Sequence, residues 1–95
     1  MFVIKLTYKA SLEAIDAAMK EHMVFLNKHY ASGEFIMSGR QVPRKGGIII
    51  AKGDDKKKIT AIMKQDPFYK HKLATFTITA FLASQSAEGI KDLIG

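Results

Sequence analysis

The sequence predicts an α+β domain of βαββαβ order: a four-stranded antiparallel sheet with two helices on one face, the ferredoxin-like arrangement. Three observations predict it. Four segments carry the alternation or the short apolar run of β-strands, and two carry the three-and-four spacing of amphipathic helices. The breaks between them fall on Ser, Gly, Asp and Pro, the residues that end or cap such elements. With 95 residues and 47% apolar content, one domain with its own core is expected.

Phe2 to Tyr8 (FVIKLTY) is β1. Phe2, Ile4, Leu6 and Tyr8 share one parity, while Val3, Lys5 and Thr7 share the other. Ser11 is a candidate N-cap, and Glu13 is favourable near the positive end of the helix that follows. That helix, α1, runs to about Ala31, and Gly33 is its natural stop. Its apolar stripe is Leu12, Ile15, Met19, His22, Leu26 and His29. Glu34 to Ser38 is β2, and Gly39 to Gly46 is a hairpin loop carrying Arg40, Arg44 and Lys45. Gly47 to Lys52 is β3, with Ile48, Ile49 and Ile50 expected to be buried on both sides. Asp54 or Asp55 caps α2, whose apolar stripe is Ile59, Ile62 and Met63. Helical backbone is disfavoured before Pro67, so α2 ends at Gln65 or Asp66. Leu73 to Ala83 reads as a long β4. Residues 1–83 then form the domain and 84–95 a tail, with a short helix from Ala87 to Ile94 weakened by Gly89.

The helices can cover only one face of this sheet. The other parity still carries Leu73 and Phe81, with Thr75, Thr77 and Thr79 between them. An open apolar sheet face is unusual on a monomer, so a sheet-to-sheet homodimer is expected.

Composition removes several classes of function. There is no cysteine, which excludes disulfides and thiolate metal sites and suits a reducing cytoplasm. No apolar run is long enough for a bilayer, and the N-terminus lacks the layout of a signal peptide. The formal charge is +6, from 15 Lys and Arg against 9 Asp and Glu. It suits small anions, but the cations are mostly scattered, as on a solvated surface. RNA-recognition modules share this strand order, yet they stack bases on aromatics of the third strand. Here that strand is GGIIIAK, so no nucleic acid is expected. His22 and His29 lie about 10 Å apart along the helix, too far for one metal ion, and no phosphate-cradling motif is present. His71, between Lys70 and Lys72, is expected on the surface.

The candidate catalytic residues are His22 and Asp66. From His22 to the end of α1 is roughly 14 Å of helix, and from Asp55 to Asp66 roughly 16 Å. The two helices start at the same end of the sheet, so Asp66 should arrive level with His22. A carboxylate at one ring nitrogen would orient the imidazole and leave the other nitrogen to move a proton. The structural alternatives are a buried histidine bonded to a carbonyl and an aspartate that merely caps the turn at Pro67. Ser38 could donate to a developing oxyanion or simply be a small strand residue. Arg40 could pair with a substrate carboxylate or be a solvated loop cation.

MFVIKLTYKA, EHMVFL with His22, SGEFIMSGR, Gly46-Gly47 and QDPF, taken together, resemble the YciI-like (YCII-related) family of the dimeric α+β barrel superfamily. The resemblance covers residues 1 to about 83. It implies a ferredoxin-like protomer that dimerises through its sheet, and a His–Asp pair proposed as catalytic, which maps onto His22 and Asp66. Ser38 and Gly39 fall where the family has a small residue followed by glycine. Arg40 stands where proline is common, and His71-Lys72 where a glycine is common. The function this implies is cofactor-free acid–base chemistry of lyase or isomerase type on a cyclic, oxygenated metabolite; the residues read as binding it are Ser38, Gly39 and, for an anionic group, Arg40. The alternative is a dimer that binds a metabolite, or a partner, without turnover.

Overall fold

A computed structural model describes residues 1–94, with side chains through Asp92. The elements are β1 (Phe2–Tyr8), α1 (Leu12–Ala31), β2 (Phe35–Arg40), β3 (Gly46–Ala51), α2 (Lys56–Met63), a single turn α3 (Pro67–Lys70), β4 (Ala74–Ala80) and α4 (Lys91–Ile94). The sheet order is β2-β3-β1-β4, antiparallel throughout, as the βαββαβ order requires.

β1 is central, and its alternation sets the layers. Ile4 lies between Ile49 of β3 and Ile78 of β4. Phe2, Ile4 and Leu6 are buried under the helices, whereas Lys5 and Thr7 are exposed. They pack with Ile15, Phe25 and Leu26 of α1, with Ile59 and Met63 of α2, and with Phe68. Fully burying one such side chain contributes about 1.5–3 kcal/mol, so this parity holds the sheet against the helices. The expected caps form. Ser11 Oγ accepts from the Ala14 amide at 3.2 Å, and Asp55 Oδ1 accepts from the Lys57 and Lys58 amides at 3.0 and 3.2 Å.

The structure corrects several boundaries and faces. Leu12 is exposed and Phe25 is buried instead. The buried arc of α1 thus holds both Ile15–His22–Leu26 and His22–Phe25–His29, each set at steps of three, four or seven. Ile48 and Ile50 are half-buried rather than covered on both sides. β4 stops at Ala80, because Phe2 opposite it is the first residue of β1 and only the Met1 carbonyl remains for the Phe81 amide. In the tail, Gly89 takes a φ of 87°, which confines helix to Lys91–Ile94.

β2 carries an irregularity the sequence reading lacked. Phe35 pairs with Ala51 but Met37 pairs with Ile50, so Ile36 is an inserted residue. Beyond it the parity is reversed. Ser38 and Arg40 join the helix-covered face opposite Ile49 and Gly47, and Met37 turns to the free face. That free face is apolar only across Val3, Met37, Ile48 and Ile50. Toward β4 it carries Lys5, Thr75, Thr77 and Thr79. At the hairpin end, a Cβ on Gly46 would collide with the Leu6 carbonyl, so close pairing of β1 and β3 there requires glycine.

Candidate functional site

His22 is carried on the middle of α1, and Asp66 stands between α2 and α3. Asp66 is the N-cap of α3, and Pro67 fills the first helical position, where its missing N–H is no loss. Asp66 Oδ1 accepts from the Phe68 amide at 3.0 Å, which fixes the carboxylate from its own strand of chain. The same oxygen accepts from His22 Nδ1 at 2.8 Å. The expected contact is present, but α2 ends at Met63 rather than at Gln65 or Asp66, so a turn through Lys64 and Gln65, not continuous helix, carries Asp66 to His22. Phe68 completes the arrangement, its ring stacked on the imidazole at 3.9 Å between centroids and 5° between planes. Asp66 is fully buried and His22 nearly so.

A carboxylate oxygen can only accept, so Nδ1 carries the proton. In the neutral tautomer with that proton, Nε2 keeps its lone pair free. The hydrogen bond that His22 makes through its ring is the one at Nδ1. The second carboxylate oxygen, Asp66 Oδ2, is buried and has no hydrogen-bond partner among the described residues.

His22 and Phe68 form part of the wall of a cavity of about 420 Å³ between α1 and the β2–β3 side of the sheet. That volume is within the range of small-molecule sites. Met19, Met23, Leu26 and Tyr30 of α1 line it, with Leu6 and Tyr8 of β1 and Ile48 and Ile49 of β3. Ser38, Gly39 and Arg40 also line it, at exposed positions. Four of the five sequence-predicted site residues thus line one cavity, and the fifth, Asp66, lies behind it, bonded to the imidazole. A larger concavity, about 580 Å³, is formed by the tail's own residues from Ala83 to Lys91 and contains no comparable pair of groups.

Two features were missed from the sequence. The Tyr30 hydroxyl is hydrogen-bonded to Ser38 Oγ on the cavity wall. The signal was available, since Tyr30 follows His22 and Leu26 at steps of four. The loop cations also divide their work. Arg44 pairs with Asp16 of α1 and lies 6.0 Å from the Tyr8 ring centre. The hydrogen bond from Arg44 holds the Asp16 carboxyl below the usual carboxylate range, and Arg40 adds to the effect. Arg40 itself has no ion-pair partner among the described residues.

His29 is outside the cavity. It packs against Phe25 and Phe35, with ring centroids at 4.9 and 5.2 Å, and its buried Nε2 has no partner among the described residues. Burial pushes this imidazole below its ordinary value, and Lys28 pushes the same way. His71 is exposed, as expected, with Nε2 3.5 Å from Glu21.

A family model described as the YCII-related domain matches residues 1–82. The chain belongs to the YCII-related family. Among solved structures it is similar to 5-chloro-2-hydroxyhydroquinone dehydrochlorinase (TftG) from Burkholderia phenoliruptrix AC1100, in complex with 2,5-dihydroxybenzoquinone. The TM-score is 0.73 at 16% identity, over 85% of this chain and 92% of that one. At that identity the likeness establishes a shared fold, the α+β arrangement of that family, and says nothing by itself about a reaction. No curated protein matches the sequence. Among the described residues, no helix is long and apolar enough to cross a membrane.

Proposed function

We propose that this YCII-related protein is a small-molecule enzyme using acid–base chemistry of lyase or isomerase type, with no cofactor. The observation that carries the reading is the 2.8 Å bond from His22 Nδ1 to Asp66 beside a cavity of about 420 Å³. His22 Nε2 takes a proton from substrate carbon or oxygen and returns it. Asp66 holds the tautomer and stabilises the imidazolium that forms. Such a positioned base contributes typically 10²- to 10⁴-fold. Ser38, Gly39 and Arg40 bind the substrate at the mouth, Ser38 as a donor and Arg40 as a cation for an anionic group. A structural relative named for a dehydrochlorination, and solved with a hydroxylated quinone, supports cyclic, oxygenated compounds as the first to try.

The active form in this reading is a homodimer in the cytoplasm, paired through the free sheet face. The apolar half of that face (Val3, Met37, Ile48 and Ile50) supports it, and Ile50→Lys is expected to yield monomers in analytical ultracentrifugation.

The test is a screen of hydroxylated and oxo-substituted ring compounds by NMR in D₂O, following turnover or deuterium incorporation. His22→Ala and Asp66→Asn should each lose at least a hundredfold in rate on any compound the wild type converts. Undiminished turnover by His22→Ala would sink the proposed base. A compound that binds at His22 without exchange or turnover would favour a binding protein instead.

A further inference from the structure

We propose that Tyr30 acts with Ser38 as a paired-hydroxyl clamp for the oxygen of an enol- or phenol-type ring, whose far edge is presented to His22. The inference deepens the reading above and rests on the same cavity being a small-molecule site.

Hydroxyl chemistry supplies the first reason. Tyr30 OH and Ser38 Oγ are bonded to each other on the cavity wall. Two hydroxyls hold two protons, and their mutual bond uses one. Whichever oxygen donates, the other proton remains free to point at a ligand, and the bond behind it strengthens it as a donor. The pair therefore keeps one proton to donate to a ligand oxygen, whichever way it is wired.

Position supplies the second. His22, Leu26 and Tyr30 line the cavity at steps of four along α1. The rise from His22 to Tyr30 is about 12 Å. Long helical side chains lean toward the N-terminus, so the Tyr30 phenol leans back toward His22. Leu26, between them, offers an apolar wall for a ring. Ser38 reaches the same wall because the insertion at Ile36 reverses the parity of β2.

Charge supplies the third. Arg44 is committed to Asp16, while Arg40 at the mouth has no ion-pair partner among the described residues. An unpaired guanidinium favours an anionic oxygen over a neutral one. The substrate class is then a conjugated ring enone whose oxygen gains charge during reaction. The C–H bond at the γ-carbon, on the edge away from the oxygen, breaks; its proton goes to His22 Nε2, its electron pair forms a new C=C bond, and the old C=C pair shifts into the bond beside the carbonyl carbon. The former carbonyl π pair moves to the oxygen, where the clamp donates to it.

The experiment is titration of the full chain with 4-nitrophenol, following the visible absorbance of the bound phenolate. The wild type should bind phenolate in preference to phenol. Tyr30→Phe and Ser38→Ala should each weaken phenolate binding roughly tenfold. His22→Asn should weaken phenolate binding less than either hydroxyl variant. Tyr30→Phe keeps the ring, and Ser38→Ala tests the clamp from the other element, so a poorly folding variant does not remove the test. Phenolate binding unchanged in both hydroxyl variants overturns the proposal. So does the absence of saturable binding by the wild type, or an equal loss in His22→Asn, which would put the phenolate oxygen at the imidazole. If instead His22→Ala retains turnover while the hydroxyl variants lose phenolate, the clamp stands and the acid–base reading falls.

Discussion

His22 and His29 stand seven residues apart on one helix, and each is only 7% and 6% exposed, respectively. Their surroundings differ in kind. His22 has a carboxylate at Nδ1, a phenyl ring stacked on its face and a cavity in front of it. His29 has two phenylalanines around it and an Nε2 without a partner among the described residues, and it is not part of the His22 cavity wall. Occupying the apolar stripe of α1 therefore does not make a histidine a functional one. What separates the two is a group from another element: Asp66, at the cap of α3, reaches the first, and among the described residues nothing charged hydrogen-bonds the second ring.

The comparison can be broken most forcefully at the carboxylate. Asp66→Ala leaves Nδ1 of His22 buried without its acceptor and strips the cap from α3, so a loss of about 3–5 kcal/mol in urea unfolding is expected. A loss under about 1 kcal/mol would mean that Asp66 is not the group on which His22 depends. Next come the rings. Phe68→Leu and Phe35→Leu each remove buried aromatic area and should cost roughly 1–2 kcal/mol. Only Phe68→Leu should disturb the imidazole ¹⁵N shifts of His22; equal disturbance by both would erase the distinction between the two surroundings.

His29→Leu is expected to be neutral or to stabilise by up to about 1 kcal/mol, because a buried nitrogen without a partner is exchanged for carbon. The same change should leave 4-nitrophenolate binding alone. The smallest effect is in acid. Burial holds the His29 imidazole below its ordinary 6.5, so the unfolded chain takes up the proton first as pH falls. The stability that neutral His29 contributes is intact above pH 6.5. It declines between 6.5 and the lower folded value, then levels off. Subtracting the His29→Leu profile from that of wild type should isolate this decline; parallel profiles across that window would show that His29 titrates in the fold as it does outside it.

Much of this was legible in the chain. The alternation FVIKLTY set which face of β1 lies under the helices. The stop at Asp66-Pro67 and the length of α1 put an acid near the level of His22, but the gap between the helices was not fixed by that count, and α2 closed at Met63 before the turn that carries Asp66. Other features were out of reach. Phe25 displaced Leu12 from the buried arc, and β4 ended three residues early because β1 had no more backbone to pair with. The tail's helix shrank to its last turn at Gly89.

Local patterning, then, determined the element order and the layers and nominated Asp66 as a partner for His22, since these depend on periods of two or 3.6 residues and on caps readable within a few positions. Tertiary structure alone decided the inserted residue at Ile36, and with it which side of β2 faces the cavity. It also decided the meeting of Tyr30 with Ser38 and the pairing of Arg44, not Arg40, with Asp16. Those outcomes depend on how a strand registers against its neighbour and which side chains converge across a gap, and a one-residue shift in register reverses every face that follows.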